Sequence, residues 1–103
     1  MLELKLKIDG KQKTFKQKEV SARGMRNMIA FYTKMEKAEK GKIELSELEM
    51  MDEMIVLVSD LFQDPAVNFD AILDGLTSDE LFPTLQSVLE NVSEMGKQKV
   101  IQK

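Results

Sequence analysis

Leu2, Leu4, Leu6 and Ile8 alternate with Glu3, Lys5, Lys7 and Asp9, which commits the start of the chain to a strand with one buried face. Asp9-Gly10 interrupts the alternation. Asp-Gly adopts the positive φ angles of a tight hairpin turn, and Lys11 to Lys16, with Phe15 facing the core, supplies the return strand. Two strands are marginal in water on their own, so this hairpin, over about residues 2–16, must pack on something else in the chain.

The remaining periodicity is helical. Met25, Met28, Ile29, Tyr32 and Met35 recur at three- and four-residue steps after Ser21, a good N-cap, which predicts a helix over 22–40 closed by Gly41. A short connection then favours an antiparallel neighbour. Ser46 and Glu49 form a capping-box pattern that opens a helix over 47–62, with Leu48, Met51, Met54, Ile55, Val58, Leu61 and Phe62 as its stripe and Asp64-Pro65 beyond its end. Asn68 caps a short helix over 69–74, which Gly75 is expected to close in the left-handed conformation. Thr77 and Glu80 make another capping box. Pro83 then predicts a last helix, over 80–95, that is kinked there or starts there. Its stripe is Leu85, Val88, Leu89, Val92 and Met95, and Gly96 is expected to end it. The predicted fold class is α+β and mostly helical, an N-terminal β-hairpin followed by three to four helices. One domain spans 1–96, and 97–103 form a flexible basic tail.

A chain of 103 residues holds one core, not two. It has no cysteine and no histidine, which removes disulfides, thiolate nucleophiles, imidazole bases and nearly every zinc or transition-metal site. No P-loop, dinucleotide fingerprint or nucleophile elbow occurs. Asp60, Asp64, Asn68 and Asp70 are placed like calcium ligands, yet the glycine and the closing glutamate of an EF-hand loop are missing. The carboxylates show no pairing that would set one as acid and another as base, and they read as solvated helix faces. No catalytic residue, cofactor or metal is expected, and function is sought in binding. No apolar run approaches the roughly 20 residues of a membrane span, and the alternating start does not read as a signal peptide. A cytoplasmic protein without a membrane partner is expected.

Charge is divided along the chain. Residues 1–42 hold 12 Lys+Arg against 5 Asp+Glu, residues 43–95 hold 13 Asp+Glu and no Lys or Arg, and the last eight residues add three lysines. The halves can neutralise each other within one chain, or the basic half of one copy can attract the acidic half of another and build a homo-oligomer. Two arginines, one tyrosine and an acidic second half make a poor phosphate-tracking surface, so no nucleic acid is expected as a partner. Arg23 and Arg26 stand in the first turns of a helix, where the macrodipole disfavours positive charge. Pairing with Glu19 or Glu3, or with an acidic surface of another copy, would compensate, which makes both arginines candidates for self-association. Gly24 beside them marks either a close approach by another backbone or a tolerated imperfection.

Eight methionines in the chain are many, and most fall in the first two helices. Flexible, polarizable side chains suit a surface that accepts varied apolar partners, although Met28, Met51 and Met54 also read as core filler. Met50, off the main stripe, reads as exposed.

The succession of features resembles a known family. It comprises the hairpin with Ile8-Asp9-Gly10-Lys11 and Phe15, the helix opened by Ser21-Ala22-Arg23, the methionine- and valine-bearing helix ending in Leu61-Phe62, then Phe69-Asp70-Ala71-Ile72-Leu73-Asp74-Gly75-Leu76 and a final amphipathic helix. Over nearly the whole chain this resembles the tail assembly chaperones of long-tailed bacteriophages and prophages of Gram-positive bacteria. The resemblance implies a small non-enzymatic protein that binds the apolar tape-measure protein in the host cytoplasm, helps to recruit tail-tube protein, and is not expected in the mature virion. It brings no catalytic residues. Partner-facing positions are then expected at Met50 and Met54 on the second helix and at Leu85, Val88, Leu89 and Val92 on the last. The alternative is an acidic helical adaptor of a phage or plasmid operon that binds one defined protein.

Overall fold

The computed structural model describes the backbone of residues 1–101 and the side chains of residues 1–95. Strands β1 (Leu2–Ile8) and β2 (Lys11–Gln17) pair antiparallel, with Leu4 opposite Phe15 and Ile8 opposite Lys11. Asp9 at φ 53° and Gly10 at φ 78° form the two-residue turn between them, the geometry whose twist matches that of the flanking strands. Four helices follow: α1 (Ala22–Glu39), α2 (Glu47–Leu61), α3 (Phe69–Gly75) and α4 (Ser78–Ile101). This is the mostly helical α+β arrangement that the sequence predicts.

Each helix begins at a side chain that accepts or organises an orphan N–H group. Ser21 Oγ accepts from Gly24 N, Ser46 Oγ from Glu49 N, and Asn68 Oδ1 from Ala71 N. At α4 the capping side chain is Glu80, whose Oε1 accepts both the Thr77 N–H at 3.0 Å and the Thr77 hydroxyl at 3.1 Å. These bonds, the backbone one first, hold the Glu80 carboxyl below its ordinary pKa, and Lys7 adds to the shift. At the other end of α1, Gly41 at φ 74° lets its own N–H reach Ala38 O and the Lys42 N–H reach Lys37 O. That paired closure satisfies two of the carbonyls left over at the helix end.

β1 is the strand on which the fold converges. Its Leu2, Leu4 and Leu6 are fully buried, each contributing about 1.5–3 kcal/mol of apolar burial. β1 packs against α3 and α4 on one side and pairs with β2 on the other. The core behind it comprises Met28 and Phe31 of α1, Ile55, Val58 and Leu61 of α2, Ile72 of α3, and Leu85, Val88, Leu89 and Val92 of α4.

Several sequence readings are corrected here. Tyr32, Ile29 and Leu48, placed on core stripes, are exposed. α1 turns Gly24 and Phe31 inward in their place, beside Met28, which is buried as expected. α4 starts at Ser78 and passes through Pro83 as one helix. Pro83 and Asp79 are exposed, so the carbonyl of Asp79, which loses its donor four residues on, faces water. The helix also does not stop at Gly96. Residues 97–101, expected in a tail, continue α4, since a single glycine costs a helix only about 1 kcal/mol relative to alanine. Residues 102–103 of that expected tail lie outside the described residues.

Gly75 closes α3 for a different reason than expected. Positive φ among the glycines belongs to Gly10 and Gly41. A Cβ on Gly75 would meet Leu6 Cβ at 3.0 Å, Lys7 O at 3.2 Å and Lys7 N at 3.3 Å, so the missing side chain is what lets α3 lie on the β1 backbone. Gly75→Ala should therefore lower stability by about 1–3 kcal/mol, the usual cost of overpacking, read as a lower urea midpoint. Gly24→Ala is the control. There the close neighbours are the side-chain ends of Leu61 and Val20 at 3.0 Å, not a backbone, and these can shift.

Candidate protein-binding groove

On one side of the α1–α2 pair lies a groove lined mainly by apolar side chains. From α1 come Phe31, Tyr32, Met35 and Ala38, from the connection Leu45, from α2 Met50 and Met54, and from the second turn of α4 Phe82. The groove holds about 750 Å³, and the charged side chains on it are both acidic, Glu39 and Glu47. Met50 and Met54 stand one helical turn apart on α2 and are half-buried. Met35 and Met54 also touch the core, so they form the floor. Tyr32 and Phe82 are 44% and 49% exposed, enough to leave two aromatic faces open at the rim.

Tyr32 is held in place edge-on to Phe31, with ring centroids 5.7 Å apart and planes at 66°. Partial burial raises its pKa above the ordinary phenol value, and the nearby Glu90 carboxylate of α4 raises it further. Both effects disfavour the phenolate. Because the chain has one tyrosine and no tryptophan, phenolate absorbance reports on this groove alone. Its titration should fall at higher pH than that of free tyrosine, and an apolar ligand in the groove should move it higher still. A ligand that leaves the curve unchanged binds elsewhere.

The predicted site residues divide into two groups. Met50 and Met54 are brought together on an open apolar surface. Leu85, Val88, Leu89 and Val92 are at most 1% exposed and form the inner face of α4, so no partner reaches them while the fold is closed. Their stripe serves folding because α4 lies across both β1 and α2. Sequence reasoning missed the aromatic rim. Phe82 carried a usable signal, a large apolar residue immediately before an exposed helical proline; Tyr32 carried none that separated it from the core stripe one residue away.

Arg23 and Arg26 are exposed at the start of α1, and among the described residues neither carries an ion pair. The expected pairing with Glu19 or Glu3 is not made. One ion pair among the described residues joins the basic and acidic halves, Lys34 to Glu53 at 2.8 Å. Among the described residues no three His, Cys, Asp or Glu side chains gather closely enough to hold a metal ion. No described helix is long and apolar enough to cross a membrane.

No curated protein and no solved structure matches the chain. A family model described as phage tail chaperone protein does, over residues 1–103. With the match running the full length of the chain, through hairpin and helices alike, the protein belongs to that phage tail chaperone family.

Proposed function

We propose that the protein is a non-enzymatic tail assembly chaperone that coats the apolar tape-measure protein in the host cytoplasm and helps to recruit tail-tube subunits, leaving before the virion matures. The observation that carries this reading is the open, methionine-lined groove of Met35, Met50 and Met54 with Tyr32 and Phe82 at its rim. A long tape-measure helix exposes apolar stripes until the tube surrounds it, and uncovered stripes of that kind aggregate. Thioether side chains re-pack around anchors of different shape, which gives a groove tolerance for many segments of one long helix. Copies bound along the tape associate through their basic and acidic halves, an attraction that salt weakens over about 8–10 Å near physiological ionic strength.

Co-expression with tape-measure proteins of different lengths tests this. The expected result is soluble tape-measure protein that co-purifies with a number of chaperone copies proportional to its length. A fixed ratio at every length would instead support an adaptor for one defined segment. No rescue and no co-purification would overturn the coating function.

A further inference from the structure

The opposite side of the α1–α2 pair carries a second, shallower cleft of about 430 Å³. α1 and α2 are antiparallel, with Gly24 beside Leu61 and Lys34 bonded to Glu53. Counting inward from those two contacts sets Arg26 level with Asp60, and Ala30 level with Val56. Counting outward sets Lys37 level with Glu49. Arg26, Ala30 and Lys37 recur at four- and seven-residue steps on α1, and Glu49, Val56 and Asp60 at seven- and four-residue steps on α2, so each set shares one helix face. Ala30, Val56 and Asp60 line the cleft, with Val56 46% exposed, which puts Arg26 and Lys37 on its α1 side and Glu49 and Asp60 on its α2 side. Arg23, Arg26, Lys37, Asp52 and Asp60 carry no ion pair among the described residues.

The structure assigns this face to a second copy of the chain, joined by a two-fold axis parallel to the helices. Such an axis lays α1 of one copy over α2 of the other at the same level and in antiparallel direction. Val56 of each copy then meets Ala30 of its partner, a large side chain against a small one. Arg26 meets Asp60, and Lys37 meets Glu49, so each charge faces its opposite twice over. A closed pair is the outcome, because in a two-fold contact each patch is its own complement. The inference rests on the association between copies proposed above and limits it, at this face, to pairs; it requires no tape-measure protein.

Sedimentation equilibrium of the full chain alone tests it. The expected result is a monomer–dimer equilibrium whose dimer fraction falls as salt rises. Arg26→Glu should weaken the dimer by about tenfold or more, since like charges then face each other at two places, and Arg26→Glu with Asp60→Arg should restore it. Val56→Asp should also break the dimer, with the thermal midpoint of each variant read alongside to show that the fold is kept. Met50→Asp should dimerise like the wild type, which separates this face from the tape-measure groove. A chain that stays monomeric at low salt, a dimer indifferent to Arg26→Glu, a charge-swapped variant that stays monomeric, or oligomers that grow without limit would each overturn the two-fold pairing.

Discussion

Met50→Asp should abolish recovery of soluble tape-measure protein in co-expression while leaving the unfolding free energy of the chaperone within about 0.5 kcal/mol of wild type, as expected for a substitution outside the core. The side chain is half-buried on the groove wall and is absent from the residues packed against the core. It is the fourth residue of α2, close enough to the helix N-terminus that the macrodipole favours a carboxylate by about 0.3–1 kcal/mol. The fold should accept the change without difficulty. An apolar stripe laid on it would not, because closing the groove over an unpaired carboxylate removes its water at a cost of several kcal/mol. A variant that unfolds would place Met50 in the core; one that still rescues the tape-measure protein would move the binding surface away from this groove.

Leu85→Ala should show the opposite separation, with a loss of about 2–5 kcal/mol in unfolding free energy and client rescue retained wherever the variant remains folded. Leu85 has no exposed surface and sits between fully buried neighbours on the inner face of α4. Truncation leaves a hole that well-packed surroundings fill only in part. Domains of this size are stable by only about 5–15 kcal/mol, so the loss takes a large share. Urea denaturation measures it as a lower midpoint at unchanged slope. A variant that keeps its midpoint and loses the client would return Leu85 to the partner surface.

The contrast between these residues shows where the sequence was legible. Elements set by local chemistry could be read directly: the Asp9-Gly10 turn, the caps at Ser21, Ser46 and Asn68, and the Thr77–Glu80 box depend on residues no more than three apart. The rotation of each helix about its axis depends on what the neighbours leave open. In α1 the stripe of Met25, Tyr32 and Met35 and the stripe of Gly24, Phe31 and Met35 differ by one residue, and hydrophobicity favours the first. The fold takes the second, because Gly24 admits Leu61, and a glycine sends no apolar signal. The same ambiguity made α4 look like a binding surface. An amphipathic helix has one apolar face whether a partner chain or its own strand covers it, and β1, which covers part of α4, lies about seventy residues away in the chain. The groove was half legible, through Met50 and Met54, while its aromatic rim depends on α4 being brought across to α1.

The dependence of β1 on α3 and α4 sets an order on synthesis at the ribosome. The three leucines of β1 leave the ribosome about sixty to seventy residues ahead of the helices that cover them. At about 5–20 residues per second, the nascent hairpin waits several seconds with its apolar face uncovered. Its other face carries Lys5, Lys7 and Lys16, and Lys11 opens β2 just past the turn; lysines along an open strand edge discourage pairing with other chains. The basic hairpin thus guards the protein during its own translation, before it has any client to guard.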